Sequence, residues 1–441
     1  MPLTDQYLRG AARTDTVQSI LHPEEYRKQI YMVAPRTANV APMTALLLGL
    51  GGSPCQSRIV HWAEMPYPYQ TGTITGVFTD VALNVPYAGG GADGQGLNFQ
   101  MSIADAKQIA AGHTLEVVNT TTMTPMMIDV TNVTIADANH TFVSGNLLMA
   151  DTGNNLVCAT TLAFSIATNA QPEMSGLSEP LSRELTEFTN ITQIFMGSYA
   201  ISGSEETELE RFTPALKNRM REDALVRIHN EMEGAILRGY RKIVLEQGRR
   251  KQYMDGLYWM LAKNEPTNII NLSTYTSPVG TNFSGKSWLG YGYEAFQYIS
   301  EKLSRTSNSQ SKTVFCGSYV MLSIDALVRD NAQLQITSET TKFGLRIKTL
   351  RGLNQDWVFV QHPRFTNNVA YQRSALVVEM PLIRLRPKRG RALTFIPAGE
   401  KRNGWTWIDG VKEGWFGEYT LEMDNLGCHA WINQWGAAHA A

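Results

Sequence analysis

The chain has 441 residues, 43% of them hydrophobic and 18% charged, with a formal net charge of −1. A chain of that length buries a large core in two or three domains, and its near neutrality excludes a global electrostatic drive toward nucleic acid or membrane. The longest apolar run, Ala45 to Leu50, falls far short of the roughly 18–20 residues of a membrane span, and Met1-Pro2-Leu3-Thr4-Asp5 lacks a basic-then-apolar signal sequence. The four cysteines, Cys55, Cys158, Cys316 and Cys428, have no C-x-x-C spacing and read as free buried thiols of a reducing compartment.

Residues 1–57 read as an arm. Helical snippets such as Glu24 to Tyr31 alternate with Pro35, Pro42, Gly49, Gly51, Gly52 and Pro54, which leaves little core of its own. Residues 58–182 differ in composition. Arg58 and Lys107 face ten acids, a net charge of about −8, and the stretch is rich in Thr, Val, Asn and Gly. Short alternating runs at Thr73–Phe78, Thr114–Val118, Met127–Ile135 and Thr141–Met149 predict strands, with turns at Ala88–Gly96 and Asp151–Asn155. Such a stretch is either a solvated acidic β-domain or a surface that docks on a basic partner.

Ser204 to Arg250 reads as a single long amphipathic helix. Leu209, Phe212, Leu216, Met220, Ala224, Ile228, Met232 and Ile236 form one stripe. Ser202 and Glu205 have capping-box spacing, acids crowd the start, and Arg238, Arg241, Lys242, Arg249, Arg250 and Lys251 crowd the end, as the helix dipole prefers. At about 1.5 Å per residue it would span roughly 60–70 Å, with Pro214 as a kink or a restart. Ion pairs at i,i+4, such as Asp223 with Arg227, are expected on its surface.

Met254-Asp255-Gly256-Leu257 predicts a turn into a mixed α/β unit over 255–380. Helices are expected at Tyr293–Leu303 and Ser318–Arg329, and strands at Thr313–Cys316, Leu345–Leu350, Trp357–Gln361 and Ala375–Glu379. Ile383 to Arg402 is basic, with Pro387 and Gly390 making a turn. Its Arg384, Arg386, Lys388, Arg389 and Arg391 can serve as a solvated loop, as inter-subunit contacts or as a nucleic-acid surface. The aromatic tail, with Glu418–Met423 alternating as a strand, returns beside the long helix.

No catalytic constellation is legible. Gly89-Gly90-Gly91-Ala92-Asp93-Gly94 lacks the lysine and following helix of a phosphate loop, H-E-x-x-H and G-x-S-x-G are missing, and no two histidines stand at ligand spacing. The reading is a non-enzyme without cofactor or metal.

The order of parts is the informative signal: an arm, a β-rich excursion, a long helix, an α/β unit and a return strand. With it come four phrases, Asn190-Ile191-Thr192-Gln193-Ile194-Phe195 leading to Ser202-Gly203, Glu231-Met232-Glu233-Gly234-Ala235-Ile236-Leu237-Arg238-Gly239, Met254-Asp255-Gly256-Leu257, and Gly417-Glu418-Tyr419-Thr420-Leu421-Glu422. Together they resemble the major capsid protein of tailed bacteriophages, the Hong Kong 97-like fold, over most of the chain. The resemblance implies an α+β shell subunit that self-assembles into pentamers and hexamers of an icosahedral virion capsid, built in the host bacterial cytoplasm around double-stranded DNA held by non-specific contact. It divides the chain into an N-terminal arm (1–57), an extended loop with a β-rich insertion (58–182), a peripheral domain with the spine helix (183–253), an axial domain (254–380) and C-terminal peripheral strands (381–441). The excursion exceeds the family's usual loop, so an added β-domain is expected within about 110–168, and arm and excursion, lacking a core, are expected to lie on neighbours. No long scaffolding segment precedes the arm, which favours a separate scaffold protein beside portal and cement partners. Lys107 is the sole lysine available for a cross-link from the loop. The same fold also serves encapsulin-like compartment shells, and a tail or baseplate binding protein is the reading from another class.

Overall fold

The computed structural model describes residues 41–65, 70–120, 122–137, 140–157, 162–176, 180–182, 184–202, 204–205, 216–307, 309–330, 336–342, 345–351, 355–397 and 410–440. The expected helix at Glu24–Tyr31, the kink at Pro214 and Cys158 lie outside them. Contacts divide the chain into two units, one of Met1–Trp62 with Phe188–Ala441 and one of Ala63–Glu187.

The first described element is helix α1 (Pro42–Leu50), which carries proline near its start. Strand β1 (Ile59–Glu64) leads out of the larger unit. The smaller unit is a closed antiparallel barrel of β2 (Thr71–Phe78), β3 (Gly96–Met101), β4 (His113–Asn119), β5 (Pro125–Thr134), β6 (Phe142–Leu147) and β7 (Leu162–Asn169), in the order β2-β3-β6-β5-β4-β7. Alternate residues point inward. Ile74, Phe99, Leu115, Val117, Ile128, Val143 and Leu162 are all at most 1% exposed and pack together. A short helix α2 (Ile103–Ala106), capped by Ser102, adds Ala106 to that core. The two predicted turns are tied to each other. Tyr87 Oη donates to Asp151 at 3.1 Å and accepts from Gly91 N at 2.7 Å, while Asp151 takes the amides of Asn155 and Leu156. The expectation of a coreless excursion with an insert at 110–168 is therefore corrected. The barrel begins at Thr71 and has a core of its own, because β3 and β7, with Leu97, Phe99 and Met101 and with Leu162 and Phe164 inward, complete the closure.

The chain returns through β8 (Thr186–Ile191), which pairs with β1, and continues into β9 (Gln193–Ser202). Ser204 and Glu205 are helical, with Ser202 Oγ accepting from Glu205 N at 3.4 Å. The long helix α3 is described over Leu216–Arg238 and ends there, not at Arg250. Gly239 breaks it, with its backbone packed on the carbonyls of Ala235 and Met254. Of the basic residues assigned to its end, Arg238 is its last residue and Arg241 follows it, while Lys242, Arg249, Arg250 and Lys251 lie instead on an exposed hairpin of β10 (Lys242–Glu246) and β11 (Arg249–Tyr253). β-branched Ile243 and Val244 favour a strand there, and Gln247 and Gly248, both at positive φ (50° and 73°), make the two-residue turn whose twist suits a hairpin. On α3 itself Arg227 donates to Ser198 O at 2.7 Å, across to β9.

Helix α4 (Leu257–Asn264) starts at the predicted turn, followed by β12 (Ile269–Asn271), α5 (Trp288–Ser304), β13 (Ser311–Cys316), α6 (Ser318–Asp330), β14 (Ile336–Lys342), β15 (Leu345–Arg351), β16 (Asp356–Gln361), α7 (Pro363–Thr366) and β17 (Ala375–Val378). The chain ends with β18 (Ile383–Pro387), β19 (Thr394–Ile396), β20 (Gly410–Met423) and β21 (Ala430–Asn433). A seven-stranded mixed sheet runs β12-β21-β17-β13-β16-β15-β14. Its pleat sends alternate residues to two cores. Val314, Cys316, Phe359, Val377 and Ile432 face α5 and α6, whereas Phe315, Val360, Leu376 and Trp431 join Ile228, Met232 and Ile236 of α3. The four-stranded sheet, β18-β20-β19 with β9 along the other edge of β20, also packs on α3, where Gly197 lets the sheet approach the Ala224 carbonyl. Strand β21 thus belongs to the sheet of 254–380 and not with the other C-terminal strands. Its alternation is the same as theirs, and only the partner on each edge separates them.

Candidate functional site

The four phrases of the sequence meet at one place in the larger unit. Asn190, fully buried, donates its amide to the carbonyls of Asp255 (3.1 Å) and Leu421 (2.8 Å), and its oxygen accepts from Asp255 N (2.9 Å) and Ile191 N (2.8 Å). Gln193 accepts from Met254 N at 3.0 Å, and Thr192 donates to Glu418 at 2.7 Å. Gly256 N donates to Gly239 O at 2.8 Å, and a Cβ on Gly256 would come within 2.5 Å of the Ala235 carbonyl. Asp255 accepts from Arg241 N (2.8 Å) and pairs with Lys263 (2.6 Å). Each phrase therefore supplies a polar group that another phrase satisfies. An apolar periodicity search passes over such pairs, because the residues are polar and far apart in sequence.

A second knot joins the arm to α3. Glu233, fully buried, accepts from Met43 N (3.1 Å), Thr44 N (2.7 Å), Thr44 Oγ1 (2.5 Å) and His362 Nε2 (2.5 Å). His362 Nδ1 accepts from Arg364 N at 3.1 Å, which leaves Nε2 as the nitrogen that donates to Glu233. The carboxylate rests against the buried amides of the first turn of α1, which have no partner within the helix and where the helix dipole is positive. Residues 41–57 thus lie on their own chain. His229, one turn before Glu233, is held below the ordinary histidine range, chiefly by burial, against the opposing pull of Glu233.

Of the five basic residues singled out in the sequence, four face acids of β20 and the loop after it. Arg384 lies 3.3 Å from Asp424, Arg386 2.7 Å from Glu422, and Lys388 and Arg391 3.0 and 2.7 Å from Glu418. Arg386 also donates to Ser53 O at 3.0 Å, and Arg389 N donates to Cys55 O at 2.9 Å, so the stretch clamps the end of the arm. The side chain of Arg389 is exposed and has no ion-pair partner among the described residues. Beside it lies a groove of about 510 Å³ that sequence reading did not find. Arg249, Arg250 and Lys251 of β11 line one side, Arg58, Lys388 and Arg391 the other, against the acids Glu246 and Glu418. Three of these groups, Arg249, Arg250 and Lys251, were assigned to a helix end, and only the hairpin turn at Gln247-Gly248 would have moved them here.

A third polar cluster is structural. Lys312 pairs with Glu379 in the core and donates to Cys428 O at 2.7 Å. His429 Nδ1 accepts from Glu379 N at 3.2 Å, and burial holds this imidazole down to about 4. Burial pushes the Cys428 thiol up to about 12 and that of Cys316 up as well, so neither is a thiolate nucleophile at neutral pH. Among the described residues no group of His, Cys, Asp and Glu could hold a metal ion, and no helix is long and apolar enough to cross a membrane. The arrangement can hold surfaces in register and present charge.

No curated protein matches the sequence. Among solved structures, proteins of Mycobacterium phage Cain and Mycobacterium phage Adephagia are similar at 9% identity over 98% of this chain and 96% of theirs, with TM-scores of 0.44 and 0.43. The holo-SrpI encapsulin complex from Synechococcus elongatus is similar at 8% identity over 59% of this chain and 80% of that one, with a TM-score of 0.38. The family model of the SU10 major capsid protein matches residues 10–435, which is nearly the whole chain. The chain belongs to that family, and it is a structural protein of a bacteriophage capsid, part of the virion and not an enzyme.

Proposed function

We propose that this chain is the repeating subunit of an icosahedral head, assembling with itself into pentamers and hexamers around double-stranded DNA, with a Hong Kong 97-like division of labour. The match of the capsid family over residues 10–435 carries the reading. In it α3 is the spine, the sheet of β9, β18, β19 and β20 the peripheral domain, and the seven-stranded sheet with α5 and α6 the axial domain. A separate scaffold and a portal complete the assembly, with cement proteins as further partners and packaged DNA touched without sequence preference. Charge supports one contact in particular. The stretch 58–182 has a net charge of about −8, while Arg389, Arg391, Arg249 and Arg250 gather at the basic groove and its rim. The acidic barrel of one copy docks there on the next. Many modest interfaces suffice when the product is a closed shell.

The test is electron microscopy with sedimentation velocity on the full-length protein, alone and co-expressed with its scaffold. Closed particles, or stable pentamers and hexamers, are expected. Rings or trimers that never close in either condition would overturn the reading.

A further inference from the structure

A cavity of about 260 Å³ opens beside the last turns of α3, lined by Gly234, Arg238, Arg364, Phe365, Tyr371 and Trp431 among others. It holds two cations, and no carboxylate lines it. The Arg238 guanidinium lies 3.6 Å from the Tyr371 ring centre, with Trp431 and Tyr258 at 4.8 and 5.0 Å. Those rings cover the guanidinium but accept none of its in-plane hydrogen bonds, and Nε is buried without a partner among the described residues. Burial holds the Arg238 pKa below its ordinary value. Arg364 is fixed differently. Its Nη1 donates to Asn230 O (2.5 Å) and Oδ1 (3.2 Å), and its guanidinium lies against Gly234, where a Cβ would stand 2.5 Å from Nη2. Glycine at this position, within the Glu231–Gly239 phrase, makes the room for that cation.

We infer that this cavity binds a carboxylate. The Arg238 guanidinium is partly stripped of water and unpaired among the described residues, the exposed Arg364 guanidinium is pinned beside it, and no acid lines the cavity, so the pair calls for a counter-charge. Guanidinium edges match the planar fork of a carboxylate, and the aromatic walls suit a short hydrocarbon stem. The volume, below the roughly 300–1,000 Å³ of sites for drug-sized ligands, fits an acetate-like ion or the end of an Asp or Glu side chain. The ligand is thus a free small organic acid or an acidic side chain of another copy, which present the same chemistry.

The experiment is a titration of the full-length protein with sodium acetate and sodium succinate against sodium chloride at fixed ionic strength, read by calorimetry and by the thermal midpoint. Saturable carboxylate binding is expected. A charge-assisted bond is worth about 1.5–3 kcal/mol, so Arg238→Gln should weaken binding about ten- to a hundredfold. Gly234→Ala, which displaces only the far end of Arg364, should weaken it in the same direction with the fold intact, and Arg238→Lys should fall between. Binding by wild type and Arg238→Gln alike overturns the site, as does no binding by unassembled protein. Where the protein is assembled and acetate fails to bind, density for a neighbour's Asp or Glu in the cavity upholds the site and names its source, and water or an apolar side chain there overturns it.

Discussion

Single residues hold this protein together where polar groups are buried in satisfied sets, and His429 shows what that implies for acid. Its Nδ1 takes the Glu379 amide and its Nε2 faces the Asp424 carbonyl at 3.1 Å, so the neutral form with a proton on Nε2 fits and the cation does not. The folded pKa, about 4, lies below the ordinary 6.5. Between those values the unfolded chain binds the extra proton, so stability present above pH 6.5 is lost as pH falls toward 4, by up to a few kcal/mol. His113 and His229 shift in the same direction. Replacing His429 with Asn should lower the unfolding midpoint at pH 7 and flatten its decline between pH 6.5 and 4; parallel curves for the two proteins would contradict this. Asn190 makes the complementary case. Four hydrogen bonds converge on its buried amide. Asn190→Ala strands the backbone groups it serves and should cost about 2–4 kcal/mol, seen as a lower denaturant midpoint for the larger unit with that of the barrel unchanged.

At the scale of elements the clearest expectation concerns the barrel. It has closed pairing and an apolar core, so a fragment of residues 63–187 should fold alone with a cooperative thermal transition. Phe99→Ala, at a fully buried position, should destabilise that fragment by about 3–5 kcal/mol; a fragment that stays unfolded would show that its core is insufficient. Much of this level was legible from periodicity. The strands Thr73–Phe78, Thr114–Val118, Met127–Ile135 and Thr141–Met149 all lie in barrel strands to within two residues, and the helices around Tyr293–Leu303 and Ser318–Arg329 stand where the apolar stripe put them. What failed has a physical reason in each case. Strands β3 and β7 are the exception, since Leu97, Phe99 and Met101 and likewise Leu162 and Phe164 alternate into the core and were as legible as the rest. Arg249, Arg250 and Lys251 suit a helix end by charge, but the positive-φ pair Gln247-Gly248 turns the chain back first. The basic stretch was legible as charge; that Glu418, Glu422 and Asp424 would answer it was not, because strand pairing sets those partners.

For the whole molecule the exposed hairpin and, beside it, Arg389, unpaired among the described residues, set the expected behaviour. Arg249→Glu with Arg250→Glu, or Arg389→Glu, should block particle formation while leaving the subunit's circular dichroism and thermal midpoint close to wild type. Assembly should also weaken as salt rises, since exposed charges are screened within about 8–10 Å at 0.1–0.15 M. Normal particles from both variants would rule out the basic groove as a contact. One further property follows from the way the barrel is attached. Strands β1 and β8 pair, and Thr192 N donates to Arg58 O at 2.9 Å, so the chain leaves the larger unit and re-enters it at neighbouring backbone groups. The ends of the excursion are held by the host and not by the guest. Lineages of this subunit could therefore have gained, traded or shed the guest without refolding the host, and a foreign domain whose termini lie equally close could be grafted at the same place to decorate the particle.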